Sequence, residues 1–96
     1  MTALYSVVIK RSAEKELRAI PLSDLKRVID RIRGLAQQPR PSGCEKLSGE
    51  SERYRIRQGD YRIVYGIDYA ALRVDVVKVG HRREVDHPHA LVGAGR

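Results

Sequence analysis

The sequence predicts an α+β domain with the element order β-α-α-β-β-β, in which two helices pack on one face of a mainly antiparallel four-stranded sheet. The prediction rests on a change of pattern. Apolar residues recur with a helical period between residues 13 and 36, whereas from residue 54 they alternate with a period of two. A chain of 96 residues supports one hydrophobic core, so a single domain is expected over residues 1–96, with residues 88–96 as a flexible tail.

The first strand is expected over residues 4–10, a short stretch with β-branched residues that ends in the charges of Lys10 and Arg11. Ser12 is a candidate N-cap for a short amphipathic helix, which Pro21 ends. A second helix follows, with apolar residues at helical spacing: Leu25, Val28, Ile29, Ile32, Leu35 and Ala36. The other side of this helix is charged, so one stripe is expected to face the core and the rest to face water.

The next two strands flank Gly59 and Asp60, which are expected to form a type II′ turn because glycine accepts the positive φ angle at its first position. A two-residue turn sets the register of the hairpin. The expected pairs are Gln58 with Tyr61, Arg57 with Arg62, Ile56 with Ile63, Arg55 with Val64 and Tyr54 with Tyr65. A last strand over residues 72–79 completes an antiparallel meander.

Alternation then gives the sheet two unlike faces. The helices are expected to cover the apolar face, which carries Tyr54, Ile56, Tyr61, Ile63, Tyr65, Ile67, Val74 and Val76. The other face carries Arg55, Arg57 and Arg62 and is expected to remain uncovered. Apolar side chains on the same face, such as Val64, are expected to be uncovered as well. Function is therefore sought on this basic face.

The charge balance points to an anionic partner, because 19 Lys and Arg against 12 Asp and Glu leave a net charge of +7. Planar guanidinium groups fit phosphate oxygens, so arginines on one face form a candidate phosphodiester site. The alternative is a merely solvated surface. Like charges placed opposite each other destabilise a sheet, and solubility alone would favour mixed signs, so the pairing of Arg57 with Arg62 favours binding.

Other classes of function are disfavoured. The sequence lacks the roughly 18 to 20 consecutive apolar residues that span a bilayer, so no membrane partner is expected. The lone Cys44 cannot form an internal disulfide or a zinc site, which is typical of the cytoplasm. His87 and His89 could suggest a metal pair, but no carboxylate or thiol cluster completes it. We therefore expect no metal and no small-molecule cofactor.

Two motifs carry a resemblance to the RelE/ParE superfamily of bacterial toxins. The first is Gly59-Asp60-Tyr61-Arg62-Ile63-Val64-Tyr65 and the second is Val79-Gly80-His81-Arg82. The resemblance extends over roughly residues 4 to 86 and includes Lys46-Leu47-Ser48-Gly49. It implies a RelE-like fold and a toxin held inactive by a co-expressed, RelB-like antitoxin. In the RelE branch it further implies cleavage of messenger RNA in the ribosomal A site.

The resemblance also implies roles for individual arginines. Arg55 and Arg57 fall where RelE-like nucleases place two basic strand residues beside the scissile phosphate, and Arg62 matches a phosphate-holding arginine. Arg82 matches an arginine that stabilises the transition state near the leaving oxygen. The implied RNA-binding set is Arg53, Arg55, Arg57, Arg62, Arg82 and Arg83.

The proton carrier stays open. RNA supplies its own nucleophile, the 2′-hydroxyl, so the chemistry requires alignment, charge stabilisation and two proton transfers but no metal. The tyrosine that orients the 2′-hydroxyl in better-known RelE nucleases is replaced here by Asp86. The remaining candidates for proton transfer are His81, Glu84, Asp86 and His87, besides water or a ribosomal group.

Three functions are compatible with these residues. The first is a ribosome-dependent endoribonuclease that inhibits translation, with ribosome and messenger RNA as partners. The second is a ParE-like inhibitor of DNA gyrase, because that branch shares the fold and parts of the motif. The third is a catalytically weakened toxin that chiefly binds its antitoxin, which the presence of Asp86 would explain.

Overall fold

The predicted α+β class and order of elements are confirmed, with one strand added. The computed structural model describes residues 4–47 and 52–81; the expected tail lies outside them. The elements are β1 (Ser6–Ile9), α1 (Arg11–Arg18), α2 (Leu22–Gly34), β2 (Glu45–Lys46), β3 (Arg53–Gln58), β4 (Tyr61–Asp68) and β5 (Arg73–His81). The sheet order is β1-β5-β4-β3-β2, and only the β1–β5 pair is parallel among these strands.

The prediction of four strands is wrong because β2 adds a fifth. Its two residues pair antiparallel with β3, Glu45 opposite Arg55 and Lys46 opposite Tyr54. A strand of two residues is too short to show a period of two. Its pairing with β3 defines it as a strand, and no sequence pattern of its own could have predicted it.

Both helices pack on the same face of the sheet, as expected. The helices and the residues that follow them contribute Ala13, Leu17, Ile20, Val28, Ile32 and Leu35 to a core completed by Tyr54, Ile56, Ile63, Tyr65, Ile67, Val74, Val76 and Val79. Neither helix begins with a side-chain cap. The expected capping role of Ser12 is wrong, because α1 begins at Arg11, two residues before the start that a Ser12 cap implies, and Lys10 is its N-cap.

The hairpin of β3 and β4 has the predicted register at all five expected pairs. Gly59 has a φ angle of +61°, whereas Asp60 does not have a positive φ angle, which is the pattern of a type II′ turn. The glycine therefore sets which residues of the two strands lie opposite each other. This pairing places Arg57 opposite Arg62.

A β-bulge interrupts the pairing of β4 with β5. Tyr65 pairs with Val76, but the preceding residue on β4, Val64, pairs with Lys78, so Val77 is an extra residue on β5. Because of this extra residue, Val76 and Val79 both face the helices, although their positions differ by an odd number. The burial of Val79 could not be predicted from strict alternation.

Two core tyrosines also bond to the segments on either side of β2. The rings of Tyr54 and Tyr65 stack with centroids 5.9 Å apart. The Tyr65 hydroxyl donates to the Pro39 carbonyl oxygen at 2.6 Å, and burial raises the pKa of this hydroxyl. The Tyr54 hydroxyl donates to Glu52 Oε2 at 2.6 Å. These bonds explain how two phenols can occupy an apolar core, as the sequence predicts.

Replacing Gly59 with alanine is expected to destabilise the domain by about 1 to 2 kcal/mol, because an L-residue is strained at this positive φ angle. An added Cβ would have no atom within 4 Å at either Gly59 or Gly34, so steric clash plays no part. Gly34→Ala, in α2, is the matched control and should stabilise by roughly 0.5 to 1 kcal/mol. Urea unfolding measures both, and equal stability of Gly59→Ala and wild type would contradict the turn assignment.

Candidate nucleic-acid interface

Strands β3 and β4 bring three of the predicted arginines together. Arg55, Arg57 and Arg62 alternate with core residues along their strands, so they lie on the face opposite the helices. Arg57 and Arg62 are direct cross-strand partners. We call Arg55, Arg57 and Arg62 the arginine cluster.

The members of the arginine cluster differ in exposure. Arg57 is exposed and Arg55 is half-buried, but Arg62 is only 7% exposed. Arg62 Nη1 lies 3.3 Å from the Tyr61 carbonyl oxygen and 3.5 Å from that of Gly59. The expectation that this face is uncovered is therefore wrong for Arg62. It is also wrong for Val64, which is 8% exposed. Both residues lie on β4, the central strand, where strands on either side reduce access.

A carboxylate that the sequence analysis did not single out lies beside the cluster. Glu45 Oε1 accepts a hydrogen bond from Arg55 Nη2 at 2.9 Å, across the β2–β3 pair. This bond lowers the pKa of the Glu45 carboxyl, and the charges of Arg55, Arg57 and Arg62 lower it further. Glu45 is therefore a counter-charge beside the arginine cluster, bonded directly to Arg55.

The end of β5 adds the only proton-transfer candidate within residues 4–47 and 52–81. His81 pairs with Tyr61 on β4, next to the pair formed by Gly80 and Arg62. The rings of His81 and Tyr61 meet edge to face, with centroids 5.8 Å apart. Arg82, Arg83, Glu84, Asp86 and His87 lie outside the described residues.

Arg53, also a predicted RNA-binding residue, is the first residue of β3 and lies opposite Gly66, away from the turn. It borders a cavity of about 480 Å³ whose charged lining is mixed: Lys10, Glu52, Arg53, Asp68, Arg73 and Asp75. Arg73 forms ion pairs there with Asp68 and Asp75. Acidic groups offset the basic charge at this end, so phosphate binding is favoured at the arginine cluster instead.

The arrangement suits the binding of a phosphodiester but not proton transfer by the arginines themselves. Guanidinium groups keep their charge at all physiological pH values and donate several hydrogen bonds in one plane. Any proton transfer at this site would therefore use another group, and His81 is the histidine among the described residues. Neither of the helices in the described part of the chain is long and apolar enough to cross a membrane.

The fold, the arginine-bearing sheet face and the two motifs together define the class as a small toxin of the RelE/ParE superfamily. A family model described as the ParE toxin of the type II toxin-antitoxin system parDE matches residues 7–86. The chain therefore belongs to this family of toxins.

Relatives from archaea and bacteria agree with this membership. A protein of Methanocaldococcus jannaschii named as toxin RelE1 is 30% identical over 83 residues, which cover 83% of this chain and 91% of the relative. The toxin-antitoxin complex RelBE2 of Mycobacterium tuberculosis contains a similar chain, with a TM-score of 0.75 and 27% identity over 85% of this chain and 95% of that one. The RelE-RelB complex of Pyrococcus horikoshii has a TM-score of 0.74 and 27% identity, covering 82% and 96%.

Proposed function

We propose that this toxin is a ribosome-dependent endoribonuclease that cleaves messenger RNA and so inhibits translation in the cytoplasm. The observation that supports this proposal most directly is the pairing of Arg57 with Arg62 beside Arg55, since guanidinium groups on one sheet face can bind the oxygens of a phosphodiester. Similarity to RelE toxins supports the same activity.

In the proposed reaction the arginine cluster binds the scissile phosphate. The exposed Arg57 is accessible to the RNA backbone, while Arg55 exchanges its bond to Glu45 for a phosphate oxygen. The 2′-oxygen then attacks phosphorus, the bond from phosphorus to the 5′-oxygen breaks, and a 2′,3′-cyclic phosphate remains. The cluster stabilises the extra negative charge of the pentacoordinate phosphorus.

The two protons need separate routes. A base accepts the proton of the 2′-hydroxyl, and the departing 5′-oxygen takes up a proton. Among the described residues His81 is the candidate, and Glu84, Asp86 and His87 remain candidates by sequence. Arg82 is proposed to stabilise the leaving oxygen, as its position in the family motif implies. Arg53 and Arg83 would extend the RNA path.

The proposed partner is a RelB-like antitoxin encoded with the toxin. Similar chains from Mycobacterium tuberculosis and Pyrococcus horikoshii were solved as complexes with RelB antitoxins. The net charge of +7 favours an acidic antitoxin.

A second candidate function is ParE-like inhibition of DNA gyrase. It is favoured by the description of the matching family model, which names the ParE toxin. In this case the arginine cluster would bind protein or DNA rather than a scissile phosphate of RNA.

Expression of the toxin without its antitoxin distinguishes these functions. We expect growth arrest, new messenger RNA 5′ ends by primer extension, and intact chromosomal DNA. Purified toxin should cleave messenger RNA on programmed ribosomes. Uncut transcripts with broken DNA would establish gyrase inhibition instead, and normal growth would indicate a chain that only binds its antitoxin.

A further inference from the structure

Strand β5 extends beyond the strand on its outer side. β1 pairs with β5 only from Arg73 to Val76, whereas β5 continues to His81. Beyond Val76, β5 is therefore paired with β4 from Lys78 to His81 but has no strand on its other edge within residues 4–47 and 52–81. Backbone N–H groups on such an edge require other acceptors.

Glu16 of α1 supplies an acceptor at this edge. Its Oε1 accepts the backbone N–H of Val79 at 2.9 Å, and its Oε2 accepts Lys78 Nζ at 2.8 Å. The Glu16 side chain is about one-third exposed, at 31%. Each carboxylate oxygen therefore accepts one hydrogen bond from β5. At Val79 the carboxylate takes the place of the carbonyl that a paired strand would supply. We call these two bonds the Glu16 bridge.

The Glu16 bridge acts beyond the part of β5 that pairs with β1. It follows directly after the bulge at Val77, which interrupts the ladder to β4. Beyond it, Glu16, Tyr61 and His81 border a cavity of about 270 Å³, so the end of α1 does not pack closely on His81. The Glu16 bridge thus adds to the packing of Val79 in the core, while the cavity lies between the end of α1 and His81.

We propose that Glu16 is a positioning residue for RNA cleavage, because its carboxylate holds the end of β5 in place and so sets where His81 lies relative to the arginine cluster. The segment that it holds includes Gly80, the partner of Arg62, and ends at His81, the partner of Tyr61. This inference rests on the proposed nuclease function. Misplacement of a reacting group by about 1 Å lowers reaction rates by up to roughly 100-fold.

The test compares Glu16→Ala, which removes both bonds, with Glu16→Gln, which keeps an oxygen for the Val79 N–H but loses the charge. Glu14→Ala, on the same helix with an exposed ion pair to Arg18, is the control. Cleavage on programmed ribosomes should show kcat lowered about 10- to 100-fold in Glu16→Ala with KM unchanged, because the arginine cluster is intact. Glu16→Gln and Glu14→Ala should stay within about threefold of wild type.

Amide hydrogen exchange provides the second measurement. The Val79 amide should exchange faster in Glu16→Ala than in wild type or Glu16→Gln, while core amides of β4 remain protected. Unchanged kcat or unchanged Val79 exchange in Glu16→Ala would overturn the inference. An equal loss of kcat in Lys78→Ala and Glu16→Gln would also overturn it, since the Lys78 charge would then be the essential group. Failure of the nuclease proposal would instead appear in wild type, which would cleave no messenger RNA.

Discussion

Replacing Arg62 with alanine is expected to lower messenger RNA cleavage roughly 100- to 1,000-fold in kcat, the loss typical of removing one donor that stabilises a developing anion. Arg62 is the least exposed member of the arginine cluster and pairs directly with Arg57. A charge with little access to water acts on a bound phosphate with less screening. Single-turnover cleavage on programmed ribosomes measures the effect, and growth arrest should be lost in cells.

Two further variants separate chemistry from folding. Arg62→Lys keeps the positive charge but not the planar fork, so it should recover only part of the rate. Arg18→Ala removes an arginine from the exposed side of α1, where its side chain is 74% exposed, and should cleave like wild type. Urea unfolding of each variant shows whether lost activity reflects lost structure. A stably folded Arg62→Ala chain with wild-type cleavage would contradict the proposed site.

The largest expected effect on stability comes from Leu35→Ala, which should lower the free energy of unfolding by about 2 to 5 kcal/mol. Leu35 follows directly after α2, is 0% exposed, and belongs to the core that joins the helices to the sheet. Truncation removes buried methyl groups and leaves a cavity that the surrounding sheet and helices fill only partly. Urea denaturation monitored by circular dichroism measures the change.

Leu22 provides a control of the same residue type at the other end of the same helix. Its side chain is 82% exposed, so Leu22→Ala should change the free energy of unfolding by no more than about 0.5 kcal/mol. Similar losses in the two variants would contradict the assignment of the buried helix face. A loss at Leu22 alone would mean that the exposed end of α2 is covered in solution.

The parts of the fold that could be predicted from sequence depend on short-range signals. A glycine at the first position of a two-residue turn sets the hairpin register, and the change from helical to strand periodicity separates the helices from the meander. These signals also place Arg55, Arg57 and Arg62 on one face. The position of the arginine cluster on one face could therefore be predicted without knowing which distant segments of the chain contact each other.

The remaining features depend on contacts between distant segments. Glu16 and the Val79 N–H that it accepts are separated by 63 residues. Glu45 lies in a strand too short to be periodic, and the pairing that brings it to Arg55 depends on the path of the preceding loop. The burial of Arg62 likewise depends on its place in the central strand, which follows from the order of the strands rather than from local pattern.

The bulge at Val77 also determines which changes of length β5 can tolerate. Before this residue the even-numbered side chains Val74 and Val76 point inward, and after it the odd-numbered Val79 does. Removing Val77 would give a regular strand in which all three valines keep their inward orientation. Removing Asp75 instead would shift Val74 relative to Val76 and turn one of them toward solvent. Within this strand, the bulge between Val76 and Val79 is thus a place where the chain can lose a residue without exchanging interior for exterior.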